Sequence, residues 1–182
     1  KYQTLANADG YKDEPYAIMP RLTGRWQKTM GKANINVFSQ FTRFVHDSKQ
    51  DGSRTVLYPS VRWDFNNQWG YIRPKIGVHA TYYDLGSFGN QPGRRVSRVL
   101  PIFNVDTGMT FERNANLFGN AYLQTLEPRL FYNYIPTKSQ NDLPNFDTSE
   151  NSFSYNQLFR ENLYVGNDRI NSANSLTAAA QT

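Results

Sequence analysis

Residues 99–111 read VLPIFNVDTGMTF. Taken two at a time, they separate into two sets. Val99, Pro101, Phe103, Val105, Thr107, Met109 and Phe111 form one, non-polar or nearly so throughout. The residues between them drift polar, through Asn104, Asp106, Gly108 and Thr110 to Glu112. A period of two is the period of a β-strand, whose successive side chains leave on opposite faces. Strands of soluble sheets run to about five or six residues, whereas a tilted strand crossing a bilayer needs roughly nine to eleven. The length of this alternation therefore predicts a strand of a transmembrane barrel.

Bulk composition agrees with that class. The chain has 182 residues, 38% of them hydrophobic, with a mean hydropathy of −0.68. No stretch approaches 18 uninterrupted apolar residues, which excludes a transmembrane helix, but barrel strands hide their apolar half behind a polar one. Aromatic residues reach 15%, and both strands and barrel girdles favour them. With no cysteine, the chain has neither a disulfide framework nor a thiolate metal site. The chain opens Lys1-Tyr2-Gln3, directly into polar sequence, so a signal peptide is expected to have been processed or cut away.

The same period recurs along the chain. It predicts strands at about 15–28, 33–45, 54–65, 71–83, 99–111 and 121–135, with a seventh beginning near Ser175. In the first, Tyr16, Ile18, Pro20, Leu22, Gly24 and Trp26 share a face. In the fourth, Ile72, Pro74, Ile76, Val78, Ala80 and Tyr82 oppose Arg73, Lys75, Gly77, His79 and Thr81. The connections alternate in length: 29–32 and 66–70 are short and 113–120 moderately short, while 46–53, 84–94 and above all 136–172 are longer. Short turns on one rim and long loops on the other is the layout of bacterial outer-membrane barrels, with the short turns periplasmic. Residues 136–172 are accordingly expected to form a long extracellular loop.

Aromatic residues sort to the same two rims. Trp26, Trp63, Phe65, Trp69 and Phe111 fall toward the short turns, and Tyr16, Phe41, Phe44, Tyr82, Tyr132 and Tyr134 toward the long loops. Two interfacial girdles follow, against the plainer reading that aromatics favour strands anywhere.

Charge separates by face. Arg21, Arg25, Arg54, Arg62, Arg73, Lys75, Arg98 and Arg129 lie in the polar registers, accompanied by Asp64, Asp106, Glu112 and Glu127. A basic side chain facing lipid at the midplane costs roughly 2–4 kcal/mol, so these are expected to face the lumen. Arg43 shares a register with Phe41 and Val45, near a strand end where snorkelling lowers the cost. The lumen-facing candidates for contact with a plug or substrate are Arg21, Arg25, Arg62, Arg73, Lys75, His79, Arg98, Glu127 and Arg129. Two roles compete for them: a wet basic wall that receives phosphate or carboxylate groups, or ion pairing with neighbouring strands and with whatever fills the lumen. A nucleic-acid interface fits poorly, since one or two cations per strand form no exposed basic face.

Prolines 20, 59, 74, 101 and 128 all sit in apolar registers. Proline cannot donate to the ladder, so these mark either local bulges that shape a large barrel or weak pairings that let it flex. His46 and His79 show no catalytic or metal-ligand spacing, and neither an enzyme nor a cofactor site is expected. The acids Asp142, Asp147, Glu150 and Asp168 lack calcium-loop spacing and read as parts of a solvated loop.

The stretches RVLPIFNVDTGMTFER (98–113), QTLEPRLFYNYIP (124–136) and LFRENLYVGNDRINSAN (158–174) resemble the mid-barrel portion of the LptD family of lipopolysaccharide-assembly proteins. DEPYAIMPRL (13–22) and LYPSVRWDFNNQWGYIRPKIGVHATYYDL (57–85) resemble the preceding strands. The resemblance implies an outer-membrane translocon of Gram-negative bacteria that delivers lipopolysaccharide to the outer leaflet. It also implies a lumen plugged by the lipoprotein LptE, and a periplasmic bridge joined through an N-terminal domain outside this chain. Six or seven strands would leave two open edges, which lipid does not tolerate, so residues 1–182 read as part of one larger antiparallel, all-β wall. A general porin and a soluble sugar-binding β-sandwich are the competing readings. Plug-free conductance would mark the first, and solubility of the complete protein without detergent the second.

Overall fold

The structure, a computed structural model, describes residues 15–117, 119–152 and 154–182; the polar opening Lys1-Tyr2-Gln3 lies outside them. In chain order the strands are β1 (Ala17–Met30), β2 (Ala33–Val45), β3 (Gly52–Trp63), β4 (Phe65–Asn66), β5 (Gly70–Leu85), β6 (Arg94–Met109), β7 (Phe111–Leu117), β8 (Asn120–Ile135), β9 (Ser149–Glu150), β10 (Tyr164–Val165) and β11 (Ala173–Gln181). One antiparallel meander, β1-β2-β3-β5-β6-β8-β11, makes the wall, and β9 and β10 pair separately inside segment 136–172. The sheet is not closed. Among the described residues no helix is long and apolar enough to cross a membrane.

Wall strands from β1 to β8 reach 12 to 16 residues, apart from the short β4 and β7. That exceeds what a bilayer crossing needs. β4 and β7 continue β3 and β6. Phe65 faces Ile72 in the register that already pairs Arg62 with Lys75, and Phe111 faces Leu126 in the register that pairs Gly108 with Arg129. The connection expected over 113–120 is shorter than that, because Leu117 already pairs with Asn120 and Gly119 turns at φ +83°.

The two faces differ as the alternation requires. On β5, Ile72, Ile76 and Val78 are 53%, 50% and 41% exposed, whereas Gly77, His79, Thr81 and Tyr83 are buried. On β6, Val99, Phe103 and Met109 are exposed, whereas Arg98, Leu100, Ile102 and Asn104 are buried. On these two strands the outward register is thus apolar, and the inner one carries Arg73, Lys75 and Arg98 together with the apolar Leu100 and Ile102.

The first strand departs from its expected single register. Ile18 pairs with Phe44 but Arg21 pairs with Thr42, so Met19 and Pro20 together face Arg43. This bulge at Pro20, where no N–H is available for the ladder, switches the faces. Leu22, Gly24 and Trp26 stay outward, opposite Phe41, Ser39 and Val37, but Ile18 joins Phe44 on the inner side. Tyr16 packs there too, edge-on to Phe44 and Phe146 at 6.2 and 4.9 Å. Tyr16 and Phe44 are therefore not members of the outer girdle.

Segment 136–172 does not stand away from the wall. It folds onto the inner face, and the buried apolar clusters form where it docks. Leu100, Ile102, Ile135 and Ile170 make one, with Tyr58 and Ala173 packed against it; Tyr83, Leu85 and Leu143 make the other, with Val96 and Phe146.

Candidate functional site on the inner face

Three groups of wall side chains hold segment 136–172. The uppermost centres on Arg54 of β3, which is 1% exposed. Its Nη1 donates to Asp147 Oδ1 and to Asp168 Oδ1, both at 2.6 Å, and its Nη2 donates to Asp147 Oδ2 at 2.9 Å. Arg21 of β1 donates to the same Asp147 Oδ2 at 2.8 Å. Asp168 is wholly enclosed, and its oxygens also accept the Tyr83 hydroxyl at 2.9 Å and the backbone N–H groups of Phe146 and Asp147 at 2.8 and 3.0 Å. A buried carboxylate is tolerable only when charge and lone pairs are answered in this way.

Arg98 of β6, also 1% exposed, meets neutral acceptors instead. They are Gln140 Oε1 at 2.6 Å, the carbonyls of Asp168 and Asn167 at 2.7 and 2.8 Å, and Thr81 Oγ1 at 3.1 Å. Beside this group Phe146 stacks on Phe44 with centroids 4.3 Å apart, and the Arg54 guanidinium lies 5.0 Å from the Phe44 centroid.

The middle group converges on Glu161. Lys75, Asn104 and Asn133 form one cross-strand row on β5, β6 and β8. Lys75 Nζ and Asn104 Nδ2 donate to Glu161 Oε1, the latter at 2.8 Å, and Asn133 Nδ2 donates to the Glu161 carbonyl at 3.0 Å. Tyr58 of β3 donates its hydroxyl to Oε2 at 2.6 Å. Four neighbouring strands thus grip one residue of the segment. Lower still, the ring of Phe159 lies 4.0 Å from the Arg129 guanidinium, which is itself bound to Asp106 through two bonds of 2.9 and 2.8 Å.

Electrostatics favours the ionised carboxylates in the segment. Burial alone would raise Asp147, but the hydrogen bond and charge of Arg54, with the charge of Arg21, outweigh it and hold the carboxyl below its ordinary value. Burial likewise opposes ionisation of Glu161, and Lys75, Tyr58 and Asn104 overcome it, so this carboxyl is also depressed.

The candidates named from sequence divide among these groups. Arg21, Lys75, His79, Arg98 and Arg129 touch the segment, His79 through a side-chain hydrogen bond with Asn167. His79 is buried beside Thr81 and Tyr58, with its Nδ1 3.3 Å from Thr81 Oγ1. Arg62 and Arg73 share Asp64 at 2.9 and 3.7 Å, nearer the short turns, and Arg25 lies over Phe38 at 5.3 Å. Glu127 is exposed opposite Gln181. The ion pairs described here run within the wall, and between the wall and segment 136–172.

The expected solvated acids need correction. Asp142 and Glu150 are exposed, but Asp168 is fully enclosed and Asp147 is half-buried. Glu161, Tyr58, Asn104 and Asn133 are functional residues that the alternation alone does not single out. One signal was available: VLPIF is apolar on both faces at 99–103, as strands are when both faces are covered. Among the described residues no group of three or more His, Asp or Glu side chains could hold a metal ion.

The sequence profile of the family described as LPS transport system D matches residues 1–182. The chain is 71% identical over 182 residues to the LPS-assembly protein LptD of Neisseria meningitidis serogroup A, and 69% identical over 182 residues to that of Neisseria gonorrhoeae. Each match covers 100% of this chain and 23% of the relative. It is 47% identical over 181 residues to the LPS-assembly protein LptD of Chromobacterium violaceum, covering 98% of this chain and 23% of the relative. The chain thus spans about a quarter of the length of the curated relatives it matches. Whole-chain profile agreement, these identities and a wall with an apolar outer face and a cationic inner one lead to one conclusion: the chain belongs to the LptD family.

Proposed function

We propose that this wall is part of an outer-membrane translocon that inserts lipopolysaccharide into the outer leaflet of a Gram-negative outer membrane. The observation that carries the reading is the family match over every residue of the chain, on a wall whose outward face is apolar and whose inward face holds the cations. The role is transport, without a catalytic step. In the longer protein the lumen would receive the lipoprotein LptE, and a periplasmic bridge would engage an N-terminal domain beyond this chain.

Within that reading, residues 136–172 occupy the upper interior and consume Arg21, Arg54, Lys75 and Arg98. Arg25, Arg62 and Arg73 lie below, with Asp64 as the carboxylate that Arg62 and Arg73 share. They are the cations best placed to meet LptE or the phosphorylated sugars of a passing lipopolysaccharide. Arg129, though paired with Asp106, lines the same lower interior. Reversing Arg62, Arg73 and Arg129 to Glu in the full-length protein tests this. LptE co-purification should fall, or sensitivity to large antibiotics should rise. Unchanged LptE recovery together with unchanged sensitivity would remove the assignment.

A further inference from the structure

The outward face carries a built cleft that the transport reading does not use. At the short-turn rim Phe65 pairs with Ile72 and Ile72 with Thr107, one outward row across β4, β5 and β6. Trp69 borders it from the turn between β4 and β5, and that turn is fixed. The Asn67 side-chain oxygen accepts the N–H groups of Trp69 and Gly70 at 3.1 and 2.8 Å, and the Asn67 N–H donates to the Gly70 carbonyl at 2.9 Å. The Thr110 N–H donates to the Trp69 carbonyl, also at 2.9 Å. Gly70 allows the close approach of β6, since a Cβ there would lie 2.6 Å from the Gly108 carbonyl oxygen.

The cleft so formed holds about 300 Å3 and is lined by Lys32, Phe65, Trp69, Ile72, Thr107 and Met109, among others. Its four large apolar side chains, Phe65, Trp69, Ile72 and Met109, are all exposed. Lys32 stands beside them with its ammonium 5.3 Å from the Phe65 centroid, and among the described residues it has no carboxylate partner. Apolar walls, an indole at the rim and the Lys32 ammonium match the two halves of a lipid, acyl chain and anionic head. β5 and β6, which carry most of the cleft, are each flanked on both sides by strands of this chain, so further strands of a longer wall extend it sideways without covering the cleft.

We propose that this cleft seats one glycerophospholipid of the leaflet adjoining the short turns, an acyl chain lying between Trp69 and Met109 and its phosphate meeting Lys32. The proposal rests on the outward face meeting hydrocarbon, and not on lipopolysaccharide transport. Its test is native mass spectrometry of the full-length protein released from nanodiscs of phosphatidylglycerol, with diacylglycerol of the same chains as the phosphate-free probe. One phosphatidylglycerol should stay bound, and diacylglycerol should not. Lys32→Gln should lower the retained fraction about five-fold, as expected for one basic side chain at an anionic lipid surface. Met109→Trp, which fills the cleft, should lower it as well, with heat-modifiable electrophoretic mobility confirming a folded barrel. Equal retention by wild type and Lys32→Gln would overturn the proposal. So would a photo-crosslinker at position 69 that, in cells, captured protein instead of lipid.

Discussion

Arg54 Nη1 on β3 and Asp168 Oδ1 in segment 136–172 lie 2.6 Å apart, with neither side chain exposed to solvent. The two residues are 114 positions apart in sequence. The contact therefore fixes the segment to a distant strand, and Arg54, which also holds Asp147, is the carboxylate-bound cation that answers the enclosed charge of Asp168.

Removing one partner should accordingly cost far more than a surface ion pair would. Arg54→Met leaves Asp168 enclosed without its counter-charge and takes from Asp147 its two-bond partner. Loss of one member of a buried pair costs about 3–5 kcal/mol. In the full-length protein, limited proteolysis should then cut between residues 148 and 158 under conditions that leave the wild type intact. Resistance equal to wild type would show that the apolar clusters around Ile170 and Leu143 hold the segment alone.

Acid should loosen the same contacts, and the sign follows from the depressed carboxyls. Asp147 and Glu161 lie below their ordinary values when folded. Their contribution is therefore full above the unfolded carboxylate range of about 4, and is lost as pH falls through the folded values. A spin-label pair spanning the segment and β5 should hold one distance from pH 7 to about pH 4 and broaden below it. Lys75→Met removes the largest charge acting on Glu161 and should move the onset upward. Broadening that began near pH 6 in the wild type would contradict this assignment.

Close packing makes a third test. A Cβ at Gly52 would lie 2.8 Å from Leu85 Cδ2 and 2.9 Å from Phe146 Cζ, so the Phe146–Phe44 stack leaves no room for a side chain. Gly52→Val should cost about 1–3 kcal/mol through overpacking and lower the temperature at which the folded form is lost in electrophoretic mobility assays. Gly86→Ala, whose nearest neighbour is 3.6 Å away, should be close to neutral. Equal midpoints for the two variants would show that the segment yields freely at Phe146.

Sequence carried the wall well because alternation is a local property. Ile72, Ile76 and Val78 against Arg73 and Lys75 can be read without knowing any partner. The bulge at Met19 and Pro20 was less legible, since a proline in an apolar register fits either an in-register strand or a displaced one, and only the pairing with Arg43 decides. The grip on segment 136–172 was least legible. Asp147, Asp168 and Glu161 have the composition of a solvated loop, and their partners Arg54 and Lys75 lie 86 or more residues away. The one local trace was interior apolarity at Leu100 and Ile102, which an aqueous lumen would not favour.

The outward face gives a depth-dependent test of the membrane reading itself. Ile76 lies in the middle of β5, in a row with Val61 and Phe103, and is 50% exposed. Ile72, four residues nearer the short turns, is 53% exposed. In water the two positions would accept arginine equally well. In a bilayer, arginine costs about 2–4 kcal/mol at the midplane and about 0–1 kcal/mol near the interface. Folding of the full-length protein into liposomes, followed by urea titration, should show Ile76→Arg destabilised well beyond Ile72→Arg. A difference under about 0.5 kcal/mol would mean that this face does not meet hydrocarbon, because surface substitutions in water ordinarily fall within that range.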